Sequence, residues 1–525
     1  MEFSALEDLF DSTQGDTWKW NDRALGNHWN FTSVTNDPCL DDWQGLICTT
    51  ASGSSELHIE DIFLNKFGLN GTLPASIGNF AFLKTLSLSG NYLIGTLPKE
   101  AGQLQNLTSL DVYNNKRWGH VPASIYLLPT LEALNLAVND FSGTISPEIK
   151  HLTNLKQINF GLTKITGSIP TEFTELESLN VANFYHTGLT GTLPSGMGNM
   201  FALRVFIAFN NSIEGSIPSS IGDLLFLVSL NLGNNRLSGT LPASLSKMPK
   251  LRSLVLTQNM LEGSIPASYV FSRLSVIFLD RNNLVGSVDV VCGMKNVTQI
   301  YFTQNYLSGT LPSCLGDLTF IEELYLDDNT FSGTIPESLG KLQELTYLEI
   351  DLNQITGTIP EALVGAKNLV KLIMFGNQLE GTVPVSISRL RNISIILLQD
   401  NLLSGPLENI FNISHQIYLN TVQVSGNQFT GTIPEALFKV NGFSQFSAVD
   451  NCLHGRIPEI ICNCTTLNVL ALDGVASASR CRRNLLPSFF GSQSYRSGNQ
   501  LSGTIPLCLF QLPKLSTLHL SGNGL

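Results

Sequence analysis

The chain has little charge, and less positive than negative charge. Charged residues fill 14% of its 525 positions, and 30 Lys and Arg stand against 42 Asp and Glu, a net charge of −12. Such a balance does not hold a phosphate backbone, so nucleic acid is excluded as a partner. The acidity serves solubility first. Long apolar runs are also missing. The segments "DLLFLVSLNL" and "NISIILLQDN" fall well short of the roughly 20 residues that a membrane span needs. "MEFSALEDLF" puts acids where an export signal carries a basic start and an apolar core. Short catalytic signatures are missing too. The 8 histidines are scattered, and no H-E-x-x-H, G-x-S-x-G or phosphate-cradling G-x-x-x-x-G-K-[ST] occurs. The reading is therefore a protein that is not an enzyme and holds no cofactor and no metal.

What is present is a repeat. "LEALNLAVNDFSGTISP" (131–147), "LVSLNLGNNRLSGTLP" (227–242) and "IEELYLDDNTFSGTIP" (321–336) are variants of one motif. Its glycines run from Gly71 to Gly503, mostly 24 residues apart, with a last step of 48. A fixed period of this size means a solenoid of stacked coils. In L-x-x-L-x-L the alternation is that of a short strand, and stacking pairs such strands into a parallel sheet about 4.8 Å apart. The Asn three residues beyond the strand (Asn91, Asn139, Asn235, Asn329, Asn377, Asn427) carries donors and an acceptor that can bridge neighbouring turns. The Gly permits a tight bend. Segments such as "ESLGKLQE" (337–344) read as a short helical turn on the outer side. No coil buries its own leucines, and the stack makes one continuous core.

The pattern L-x-x-L-x-L-x-x-N-x-L-x-G-x-I/L-P resembles the plant-type leucine-rich repeat, over residues of roughly 57–525. The resemblance implies an α/β repeat solenoid, a superhelix with a parallel β-sheet on its concave face and short helical or 3-10 turns on its convex face. It also implies an extracellular home, as a receptor ectodomain, a defence inhibitor or a wall protein. Residues 1–56, with four of the five tryptophans and "PCLDDWQGLIC", are similar to the N-terminal cap of that family, and the similarity implies a Cys39–Cys48 bridge. The expected organisation is a cap at 1–56, repeats at 57–474, an island at 475–498, and final repeats at 499–525. The chain stops in mid-motif at "LSTLHLSGNGL", and the expectation is that a cap, an anchor or a further domain follows.

The 48-residue step has a specific reading. Removing Val475–Gly498 joins "LALDG" to "NQLSGTIP" without a gap, whereas the interior puts Ser477 and Gly491 where motif leucines belong. That makes an insertion, with Cys462 and Cys508 in neighbouring coils and Cys452–Cys481 as its staple. Cys292 and Cys314 occupy nearly equivalent places in consecutive coils, within reach of a bridge. Cys464, at an inward position, reads as a buried thiol. The island carries Arg480, Arg482 and Arg483 beside Phe489, Phe490 and Tyr495, and islands in some plant-type receptors help bind ligand. Eight N-x-S/T sequons, at Asn30, Asn70, Asn106, Asn210, Asn296, Asn392, Asn412 and Asn463, favour a secreted or cell-surface glycoprotein.

Strand residues between the leucines make a face that can be listed down the stack. Its early part is polar (Ser87, Asp111, Asn135, Asn159, Asn183), followed by an aromatic patch at Tyr185, His186, Ile207 and Phe209. A second patch follows: Phe278, Asp280, Arg281, Tyr301, Tyr325, Asp327, Asp328, Glu349, Asp351, Ile373 and Phe375. Aromatics with a charged rim are the make-up of protein-binding hot spots. The expected function is recognition of a protein or peptide, basic in character, with a glycan or a cation as further ligand classes. An alternative is a structural or adhesive subunit that self-assembles in a wall, coat or filament. A third is an enzyme inhibitor.

Overall fold

The computed structural model describes residues 2–20, 26–32, 37–50, 55–116, 118–474 and 498–525. They form two compact units, Met1–Leu261 and Glu262–Leu525. Both are leucine-rich-repeat solenoids: short parallel strands line one face, and 3-10 turns of mostly five residues line the other. Among the described residues no helix is long and apolar enough to cross a membrane.

The first unit opens with helix Glu2–Ser12, which buries Ala5, Leu6 and Leu9. Around it, Trp18, Trp29 and Trp43 sit at 5% exposure or less and pack with Phe3, Phe10 and Phe31. Two of these three buried indoles also find polar partners: Trp18 Nε1 donates to Thr13 O at 3.1 Å and Trp29 Nε1 to Gln44 O at 2.9 Å. Strand Leu46–Thr50 pairs antiparallel with Leu57–Phe63, and Cys39 is bonded to Cys48. From Leu57–Phe63 onward every strand of the main sheet within this unit pairs in parallel with the next.

One coil of the second unit explains the rest. Strand Glu323–Tyr325 is followed by Asp328 at φ 51° and then Asn329, which turn the chain. Asn329 Nδ2 donates to Phe302 O of the preceding coil and to Leu326 O and Asp327 O of its own, while its Oδ1 accepts from Leu307 N at 3.0 Å. A buried amide thus satisfies backbone groups of two coils. Gly333 bends the chain at φ 73°, where a Cβ would meet Thr310 Cγ2 at 2.7 Å. Pro336 then sets the entry to the 3-10 turn Glu337–Lys341. Leu324, Leu326, Phe331, Ile335, Leu339 and Leu342 from this coil are all buried. Among the described coils, Thr163 and Thr187 stand in ladder places that most coils fill with Asn; Thr163 Oγ1 donates to Phe160 O.

Around the 48-residue step, strand Val469–Ala471 pairs directly with Thr517–His519. Asn499 fills the ladder place of the coil that carries Leu470, donating to Ala448 O at 2.7 Å and to Leu472 O at 3.2 Å. Cys462 and Cys508 are bonded across adjacent coils, as are Cys292 and Cys314. Cys452 is also in a disulfide, and Cys481 lies outside the described residues, as does nearly all of the 475–498 segment. Cys464 is a buried free thiol.

Candidate functional site

In the second unit the in-register parallel pairing turns sequence positions into columns. Phe278, Tyr301, Tyr325, Glu349 and Ile373 follow one another in register across five strands. The aromatic members touch. The Phe278 and Tyr301 rings stack at 4.0 Å with 13° between planes, and Tyr301 meets Tyr325 edge-on at 4.4 Å. A side-by-side column runs through Gln299, Glu323, Tyr347 and Lys371. The Tyr301 hydroxyl donates to Glu323, and Gln299 Nε2 donates to the other oxygen of that carboxylate at 3.2 Å. Lys371 Nζ lies 4.7 Å from the centre of the Tyr347 ring and 3.9 Å from Glu349 Oε1. The sequence reading passed over Glu323, Tyr347 and Lys371. Period-two alternation would have found them, because the residue before the first strand leucine faces the same way as the residue after it.

Beside the aromatics lies a dense acidic group. Asp327, Glu349 and Asp351 each place a carboxylate oxygen within 4.8 Å of the others. Thr303 Oγ1 donates to Asp327 Oδ1 at 2.7 Å. Asp351 is only 5% exposed. Burial, and next the charge of Asp327, push the carboxyls of Glu349 and Asp351 up to about 7. Asp327 is also raised, chiefly by burial, against the hydrogen bond from Thr303. Burial is likewise the main reason that the Tyr301 and Tyr325 phenols lose their protons less readily than free tyrosine, with neighbouring carboxylates adding to it. Asp280, Asp328 and Phe375 are half-buried on the same face and Arg281 is exposed. The structure thus brings together the residues expected from Phe278 to Phe375.

Tyr185 and Phe209 belong to the first unit and form their own stack at 5.4 Å, with His186 edge-on to Phe209. The Asn210 amide and His186 Nε2 are hydrogen-bonded at 2.6 Å. Seven of the eight sequon asparagines are exposed, and Asn210 is half-buried beside this stack. Arg480, Arg482, Arg483, Phe489, Phe490 and Tyr495 lie outside the described residues.

Known proteins share this architecture. The leucine-rich repeat region family matches residues 55–181, and further leucine-rich repeat matches cover 226–248 and 321–379. The Arabidopsis receptor kinase HAESA, solved with the peptide hormone IDA and the co-receptor SERK1, is 32% identical over 88% of this chain and 73% of its own, with a TM-score of 0.78. The chain belongs to the plant-type leucine-rich-repeat ectodomain family. This ectodomain is also similar to the plant peptide hormone receptor RGFR1, solved with RGF2, at 27% identity over 92% of this chain and 83% of that one, TM-score 0.76. A TDR receptor matches at 28% identity over 88% and 84% of the two chains, TM-score 0.74. Curated protein sequences include no match.

Proposed function

We propose that this ectodomain is an extracellular recognition module, not an enzyme, and that the sheet face from Phe278 to Phe375 binds a peptide or protein segment bearing a basic residue. The observation that carries the reading is the contact between stacked aromatics and clustered carboxylates. Phe278, Tyr301 and Tyr325 offer a rigid apolar shelf. Asp280, Glu323, Asp327, Asp328, Glu349 and Asp351 surround it, with Arg281 and Lys371 as opposing charges. Rigid aromatics supply contact area at low entropic cost, and the acids select and orient a cationic partner. Disulfides between coils and exposed sequons fit a secreted or cell-surface setting. The relatives solved with peptide hormones point the same way.

Panning a random decapeptide display library on the secreted protein tests this. The expected pool is rich in Arg or Lys next to apolar residues. Binding of the selected peptides should fall by about 100-fold in Tyr301→Ala/Tyr325→Ala, since two hot-spot aromatics are lost, and should vanish in Asp327→Lys/Asp351→Lys. Selected peptides that bind both double variants as well as the parent protein would place the ligand elsewhere.

A further inference from the structure

We propose that the sheet face of the first unit, from Asn159 to Thr257, binds an uncharged oligosaccharide, with one sugar ring seated over Gly233 against Phe209. This is a second site, and it does not rest on the peptide reading of the face from Phe278 to Phe375.

Three observations carry it. The first is the lack of charge. From Ala133 to Gln258, the places that Ala133, Asn135, Ala137 and Val138 hold in their coil carry no Asp, Glu, Lys or Arg in any coil. A charged ligand would lose its water here without meeting an opposite charge, which is costly. The second is a set of amides with spare hydrogen-bonding groups. Asn159, Asn183 and Asn231 each turn Oδ1 back to accept from the main-chain N–H two residues on, that of Gly161, Tyr185 and Gly233, at 3.1, 3.3 and 3.1 Å. Among the described residues their Nδ2 groups have no acceptor. Asn159 and Asn183 are in register on neighbouring strands, and Asn231 is in register with Ile207. Asn234 goes further: its Oδ1 is closed off from solvent and has no hydrogen-bond partner among the described residues. Buried polar atoms are seldom left so, and the broad χ2 torsion of Asn lets this oxygen turn outward. A sugar hydroxyl both donates and accepts, so it serves both kinds of group.

The third is a shaped aromatic wall. The Tyr185 ring lies where a side chain at Gly161 would stand, and Phe209 stacks on it at 5.4 Å with 17° between planes. His186 meets Phe209 edge-on and is tied to the Asn210 amide. Gly233 stands beside Phe209 on the next coil and Thr257 on the one after, as Asn210 N donates to Gly233 O and Asn234 N to Thr257 O. Gly233 therefore leaves a gap two coil steps wide, about 9.6 Å, between Phe209 and Thr257. It does not hold a left-handed backbone, and the nearest neighbour of a Cβ there would be Asn231 Oδ1 at an ordinary 3.4 Å. Neither the turn nor crowding demands glycine here; what it leaves is space. A sugar ring in that gap sets its C–H groups on the electron-rich face of Phe209, at about 3.5–4.0 Å. Asn231 and Asn234, from the coil of Gly233, bind its hydroxyls.

Calorimetric titration with cellohexaose, mannohexaose and xylohexaose, and with hexagalacturonate as their charged counterpart, provides the test. It is run on Ser212→Ala protein, which lacks the Asn210 sequon, so that no glycan of the chain's own lies on the stack. The expected result is saturable binding of at least one neutral hexasaccharide, at least about tenfold tighter than hexagalacturonate. Asn231→Asp keeps the acceptor for Gly233 N and loses the donor, and should weaken binding by about tenfold. Phe209→Ala should weaken it by at least about tenfold. Gly233→Leu, which fills the gap, should abolish it. Unchanged circular dichroism spectra and denaturation midpoints verify folding, and the isosteric Asn231→Asp decides alone if a larger change disturbs the fold. The proposal is overturned by no saturable binding of any neutral hexasaccharide, by equal binding of hexagalacturonate, or by one affinity shared by the parent protein, Asn231→Asp and Gly233→Leu. Binding of the uncharged peptide (Ser-Pro)₅ in place of all three sugars overturns it too.

Discussion

Replacing Asn329 with Ala should open one coil rather than soften the whole protein. The Asn329 amide donates its two N–H groups among Phe302 O, Leu326 O and Asp327 O, and its Oδ1 accepts from Leu307 N. That is three full hydrogen bonds, each contributing about 1 kcal/mol net. The residue is 9% exposed, so water cannot readily take over, and the stranded Leu307 N–H adds a desolvation cost of about 1 kcal/mol or more. Asn329→Ala is therefore expected to cost about 3–4 kcal/mol. In a solenoid this cost falls on the affected coil and its neighbours. Hydrogen exchange reads it locally: amides from Phe302 to Leu307 should lose protection by about two powers of ten. Peptide binding should fall with it, because Tyr325 and Asp327 stand on the coil that Asn329 ties down. Loss of less than about threefold at Leu307, or an even loss across Glu262–Leu525, would refute the reasoning.

Three further outcomes are expected. Glu349 and Asp351 titrate near 7 in the folded chain against ordinary values of 4.5 and 3.8, so the folded state holds protons that the unfolded state has released. Their contribution is thus fullest below about pH 4 and is lost as pH rises toward 7; urea midpoints should fall across that window, and less steeply in Asp351→Asn. Val138 holds a left-handed backbone at φ 56°, a costly place for a β-branched residue. Val138→Asn should raise stability by about 1 kcal/mol, visible as a higher denaturation midpoint, and an unchanged midpoint would show that the turn is not strained. Removing the 22-residue crosslink with Cys292→Ser/Cys314→Ser should cost about 3 kcal/mol by loop entropy, checked by chemical denaturation at constant pH.

The solenoid was legible because its determinants are local and recur. Alternating leucines, the ladder Asn and the bend Gly each act within one coil or on the next, so a single period contains nearly all of the information. Thr163 and Thr187 stand in ladder places that the motif alone assigns to Asn. The aromatic and acidic face was partly legible. Phe278, Tyr301, Tyr325 and Asp327 follow from strand position. The flanking Glu323, Tyr347 and Lys371 were missed because only the residues between and after the paired strand leucines were read as the concave face. The burial of Asp351 had no sequence signal at all. Glu349 ends the strand Tyr347–Glu349 and Asp351 follows two residues later, yet only Asp351 is buried, because burial on this face is set by side chains of the coils on either side. Asp351 O accepts from Asp328 N, and Leu352 N donates to Phe375 O, which places coils 24 residues away in sequence directly beside it. For the same reason the carboxylate trio left no pattern in the sequence, since its members meet only through stacking.

The uniform parallel register has a metrical consequence for anything that lies along the stack. The five strands from Phe278 to Ile373 span four steps of about 4.8 Å, or about 19 Å. An extended chain rising about 3.3 Å per residue covers that distance with about six residues, but its side chains alternate sides and drift out of phase with the coils. A polyproline-type chain rises about 3.1 Å with threefold symmetry, so every third residue returns to the same side after about 9.3 Å. Two coils advance by about 9.6 Å. The stack is thus a ruler whose every second mark coincides with the pitch of a polyproline helix.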